Sequence, residues 1–69
     1  EVPPREGAGP GDVLIFRMRK GAIAKHAGIV TETDFDTPTR MIHAQESVGV
    51  VEINLPYWWR RKIVAAFRF

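Results

Sequence analysis

The apolar residues of this chain come in five short runs, each closed off by glycine, proline or charge, and that punctuation is what most restricts the fold. Val13-Leu14-Ile15-Phe16 follows the turn pair Gly11-Asp12, and a second run over residues 23–30 follows the hairpin-like Lys20-Gly21. Arg40-Met41-Ile42-His43-Ala44-Gln45 is the third, residues 50–55 are the fourth, and residues 63–69 close the chain. β-Branched and aromatic residues bounded by turn formers read as strands. Pro56 suits the first turn of a helix, so residues 56–62 read as one short helical turn. The expectation is a mainly antiparallel sheet of about five strands in meander order, curled or partly barrelled.

The period of two assigns faces within these strands. His26 shares a face with Ala24, Gly28 and Val30; Met41, His43 and Gln45 lie opposite Ile42 and Ala44; Val51, Ile53 and Leu55 alternate with Glu52 and Asn54. The small residues beside His26 predict space in front of its imidazole. Residues 31–39, with Asp34, Asp36 and Pro38, read as a polar loop, and Glu46-Ser47-Val48-Gly49 as a turn.

Sixty-nine residues without a cysteine have no disulfide staple. A single apolar core of this size seldom supplies more than roughly 3–5 kcal/mol. The sheet has two faces and little helix to cover them, so an uncovered apolar face is expected to meet a partner or a further segment, on the side that carries the histidines. A net charge of +2 and a pI near 9.5 favour anionic surfaces such as a cell envelope and fall short of a nucleic-acid footprint. No apolar run approaches the roughly 18 residues of a membrane span. The chain starts at Glu1, which implies processing or a longer parent polypeptide, and residues 1–10 read as a linker ahead of a domain over 11–69.

Chemistry is concentrated in His26 and His43, each in the middle of a strand-like run. Neighbouring strands lie roughly 4.8 Å apart, so two such imidazoles can meet side by side. One ring nitrogen of His26 can then face a thiol while His43 fixes the tautomer and orientation of the other, an arrangement of base and orienter. A histidine so held draws the proton from a cysteine and later protonates the leaving amine. Strand histidines are more often packed or surface residues than catalysts, and spacing alone leaves both readings open. A metal needs three or four ligands, and beyond the histidines only scattered carboxylates such as Asp12, Asp34 and Asp36 are on offer, so no metal or other cofactor is expected.

In order along the chain, Gly11-Asp12-Val13-Leu14-Ile15-Phe16, Lys25-His26-Ala27-Gly28-Ile29, Met41-Ile42-His43-Ala44 and Gly49-Val50-Val51-Glu52 resemble the C-terminal half of the NlpC-type cell-wall peptidases. The ending Trp58-Trp59-Arg60-Arg61-Lys62 through Phe69 is similar to the phage-tail branch of that family, including versions carried by gene transfer agents. The resemblance implies an α+β, papain-like fold in which a cysteine at a helix start precedes the sheet. It further implies hydrolysis of peptidoglycan stem peptides in a tail or tail-like particle that degrades the cell wall during genome delivery. By motif, His26 matches the catalytic histidine and His43 the third, orienting residue. The family nucleophile lies upstream of the Gly-Asp strand, in a stretch this sequence does not contain, so the 69 residues are expected to be inactive alone. The partners implied are the stem peptide, an upstream cysteine-bearing segment and tail or baseplate proteins.

Other residues have plainer expected roles. Asp12 is expected to shape a turn, Trp58 and Trp59 to plug one end of the core, and Arg60, Arg61 and Lys62 to form a solvated edge. Gln45 has a minor claim on the site from the His43 face, and Lys25 points away from it. Two further functions stay open: a structural tail or baseplate component that binds partners through the sheet face, and a glycan-binding module that uses the tryptophans.

Overall fold

The computed structural model describes residues 7–19, 21, 26–45 and 47–69. Residues 1–6 of the expected linker, Lys20 of the expected turn, residues 23–25 with Lys25, and Glu46 lie outside the described residues. Five strands and one short helix follow in the order β1 (Val13–Phe16), β2 (His26–Asp34), β3 (Thr37–Gln45), β4 (Gly49–Asn54), α1 (Tyr57–Arg60) and β5 (Ile63–Phe67). They form one open antiparallel sheet, ordered β4-β3-β2-β1-β5.

The first four strands are the expected meander. The fifth is not its continuation: β5 pairs with β1 at the far edge, Leu14 facing Ala66. The reason is geometric, because α1 carries the chain from β4 back across the sheet to the vacant side of β1. Ile15 pairs with Ala65 but Phe16 pairs with Ile63, so Val64 is bulged out. That extra residue turns Ile63 to the face of Phe16, where it is buried, and leaves Val64 exposed.

Residues 31–39 are also not a loop. They complete β2 and begin β3, joined at Phe35-Asp36, with Phe35 in the left-handed region at φ 56°. Thr31, Thr33, Thr37 and Thr39 are β-branched and suit a half-buried pleat, which outweighs the Asp and Pro content. Pro38 is tolerated because β4 reaches only as far as Arg40, opposite Asn54, so Pro38 has no ladder partner to fail on that side. Arg40 lies 3.3 Å from both Glu32 and Glu52, bridging β2, β3 and β4 at the surface.

The core lies on the histidine face. Leu14, Phe16, Val30, Met41, Leu55, Ile63 and Ala66 are buried together with Ala8, and Ile53 and Trp59 pack against them. Burying a side chain such as Phe16 or Leu14 contributes about 1.5–3 kcal/mol. Ala8 is held there because Gly9 N–H donates to Asp12 Oδ2 at 2.7 Å and Arg68 grips both carboxylate oxygens of Asp12 at 3.0 and 2.9 Å. Asp12 is 2% exposed and has the turn-forming role its position predicts. The Arg68 guanidinium, with help from the Gly9 amide, holds its carboxyl below the usual range.

The uncovered apolar surface is on the opposite face, contrary to the expectation that the histidine side would be open. Ile29 is 46% and Val50 74% exposed, beside Ala27, Ala44 and Phe67. Curling of the sheet and the docking of Trp59 and Leu55 cover the histidine side instead.

Candidate active site

His26 opens β2 and is paired with Phe16 of β1. On its other side Ile29 faces Ile42 and Val30 faces Met41, and the same register sets Gly28 opposite His43. His26, two residues from Gly28 on the same face, is therefore the diagonal neighbour of His43, a relation that long or aromatic side chains span. The structure brings the two histidines together: His26 Nε2 lies 2.7 Å from His43 Nδ1, with the rings at 72° and their centroids 4.9 Å apart.

Gly28 makes room for this arrangement in a way the pattern of small residues does not suggest. A Cβ there would overlap Met41 Sδ and stand 3.2 Å from the Ile42 carbonyl oxygen. The space at Gly28 is thus filled by the Met41 side chain.

Trp59 completes the surroundings. Its ring centroid is 5.7 Å from that of His26, 5.8 Å from that of His43 and 5.2 Å from that of Phe16. Phe16 in turn meets His26 edge-on at 6.0 Å. As a plug, Trp59 fits its sequence-based role, while Trp58 stacks on it and is 52% exposed. Contact of Trp59 with both imidazoles does not follow from the strand pattern, because it depends on α1 folding back over the sheet. Gln45 is exposed, and among the described residues no side-chain hydrogen bond joins it to the pair.

The apolar walls disfavour charge. Burial, with a smaller contribution from neighbouring His43, holds the His26 imidazole below its ordinary value. His43 is 7% exposed, and its Nε2 is buried with no hydrogen-bond partner among the described residues.

That orphan atom bears on the tautomer. One neutral arrangement has His26 Nε2–H donating to His43 Nδ1; His43 then carries a buried, unpaired Nε2–H, and His26 Nδ1 is free to accept a proton. The other has His43 Nδ1–H donating to His26 Nε2; His43 Nε2 is then a bare lone pair, and His26 keeps its own proton on Nδ1. Orphaned N–H donors are rarer in proteins than unfilled acceptors, so the second arrangement is favoured while His43 Nε2 has no acceptor to meet. Base chemistry at His26 needs the first.

Two imidazole nitrogens are half of a tetrahedral metal set, and no group of three His, Cys, Asp or Glu side chains gathers among the described residues. No helix among those residues is long and apolar enough to cross a membrane. Set against known protein families, curated proteins and solved structures, the chain matches none of them.

Proposed function

We propose that this chain is the histidine-bearing half of an NlpC-type, papain-like cysteine peptidase that cleaves peptidoglycan stem peptides, carried by a phage tail or tail-like particle and acting at the bacterial envelope. The observation that supports the reading is the 2.7 Å contact between His26 Nε2 and His43 Nδ1, which leaves His26 Nδ1 as the nitrogen for a thiol. In this reading His26 takes the thiol proton, the thiolate adds to the stem-peptide carbonyl carbon, and His26 returns the proton to the departing amine. Water, deprotonated by the same imidazole, then releases the acyl group from sulfur. His43 orients His26 and touches no substrate.

The 69 residues contain no cysteine, so the thiol and the oxyanion donors belong to another segment. That segment, or a water it traps, also has to offer an acceptor to His43 Nε2–H, since only then is His26 Nδ1 unprotonated. The test is release of free amines from purified peptidoglycan. The polypeptide as isolated from its native source is expected to release them until treated with iodoacetamide, whereas the 69 residues alone release none; cleavage by the 69 residues alone would sink the proposal.

A structural role in a tail or baseplate is the second reading. It is favoured by the apolar outer face, where Ile29, Val50 and Phe67 stand exposed. Retention of this chain in assembled particles that lack any thiol-dependent wall cleavage would support it over the first.

A further inference from the structure

Four of the chain's ten lysines and arginines converge on one cleft of about 530 Å³, formed by Arg17, Met18 and Arg19 after β1, Gly21, and Arg61, Lys62 and Val64 around the start of β5. Among the described residues no carboxylate lines it. Its two walls are tied by backbone and side chain: Arg17 N–H donates to the Lys62 carbonyl at 2.9 Å, and Lys62 Nζ donates to the Met18 carbonyl at 3.0 Å. Arg17 and Arg19 are exposed and form no ion pair among the described residues. The volume falls in the range of roughly 300–1,000 Å³ typical of small-ligand clefts.

Acids elsewhere among the described residues are committed or distant. Asp12 is buried under Arg68, and Glu32 and Glu52 flank Arg40. Asp34 ends β2 and Asp36 follows in the turn to β3, eight and ten residues beyond His26, and at the usual strand rise Asp34 is about 26 Å along the strand from His26. The screening length at physiological salt is about 8 Å, so those charges do not neutralise the cleft.

The cleft lies at the end of the sheet where Phe16 pairs with His26, and among the described residues none that lines it touches the imidazoles. Phe16, which meets His26 edge-on, is followed directly by Arg17, and Trp59, which touches both imidazoles, accepts the Lys62 N–H at its carbonyl at 3.0 Å. Planar guanidinium groups match carboxylates in paired hydrogen bonds.

We infer that this cleft is a carboxylate-recognition site that holds an acidic peptide at the end of the sheet where His26 opens β2, through Arg17 and Arg19, with Lys62 and Arg61 adding positive charge. Resting on the proposed function, the peptide is a peptidoglycan stem peptide, whose free carboxylates distinguish it from ordinary neutral peptides. Arg17 and Arg19 are then specificity residues that act on binding and not on the proton transfer.

The experiment is calorimetric binding of a soluble stem peptide to the native polypeptide, repeated with the same peptide amidated at its carboxyl groups, with inorganic phosphate, and with phosphatidylglycerol vesicles. The free-carboxylate peptide is expected to bind at least about tenfold more tightly than its amidated form, and the Arg17→Gln/Arg19→Gln double variant to lose that difference while its circular dichroism is unchanged. Equal binding of both peptides, or the full preference retained in the variant, overturns the inference. Binding of vesicles or phosphate in preference to the peptide overturns it too, in favour of a membrane surface or a general anion site. Amine release measured alongside separates the two claims: charge-dependent binding without cleavage leaves the cleft standing and the peptidase reading fallen, and cleavage without charge dependence does the reverse.

Discussion

His26 Nε2 and His43 Nδ1 stand 2.7 Å apart with one proton to share, and the other nitrogen of His43 is buried with no partner among the described residues. Which ring owns the shared proton decides whether His26 is a base. In the 69-residue chain at neutral pH, both imidazoles are expected to carry their hydrogen on Nδ1. Nitrogen-15 correlation spectra distinguish the tautomers directly; Nε2–H on both rings would show that His43 Nε2 meets an acceptor and that the pair is ready for proton abstraction without further help.

Acidification should weaken the fold through His26. Its folded-state pKa lies below the usual 6.5, so near that value the unfolded chain binds the proton first. The stability is fully present above about pH 6.5 and is lost as pH falls through the lowered folded value. Thermal unfolding followed from pH 7.5 downwards should show this slope, and His26→Gln should flatten it.

A second loss belongs to Asp12, in a more acid window. Its carboxyl is held below the ordinary 3.8 by Arg68 and the Gly9 amide, so its contribution is present above that value and fades as pH falls through the lower folded one. Asp12→Asn should remove this acid-limb slope and lower the urea midpoint at pH 7, because Arg68 loses its paired acceptors. An unchanged midpoint would mean that the clamp on residues 7–12 contributes nothing to stability.

Gly28→Ala places a methyl group into Met41 Sδ and against the Ile42 carbonyl, and overpacking of this kind costs about 1–3 kcal/mol. The double variant Gly28→Ala/Met41→Ala should be less destabilised than the sum of its single changes, since the clash disappears with the methionine. Chemical denaturation of the four proteins measures the coupling.

Alternation along the chain is enough to make the histidine face legible: His26 with Gly28 and Val30, Met41 with His43, Val51 with Ile53. Those positions obey a period set by the backbone alone. Residues 31–39 are harder to read, because Asp34, Asp36 and Pro38 suggest a loop, while the four threonines and the Glu32–Arg40–Glu52 bridge, which needs three strands to exist, make a ladder. The return of β5 to β1, the grip of Arg68 on Asp12 across 56 residues, and the docking of Trp59 on the imidazoles are all long-range. No local pattern encodes them. The orphan Nε2 of His43 is likewise a property of the packed site, invisible in a strand that reads Met41-Ile42-His43-Ala44.

The role of His26 is tested most directly by replacing it with alanine in the polypeptide isolated from its native source and timing amine release from purified peptidoglycan. Removing a general base costs about 10²–10⁴-fold, and a fall of that size in a protein whose circular dichroism is unchanged is the predicted result. Equal rates before and after the substitution would contradict the account and return His26 and His43 to the status of a packed pair in a small sheet.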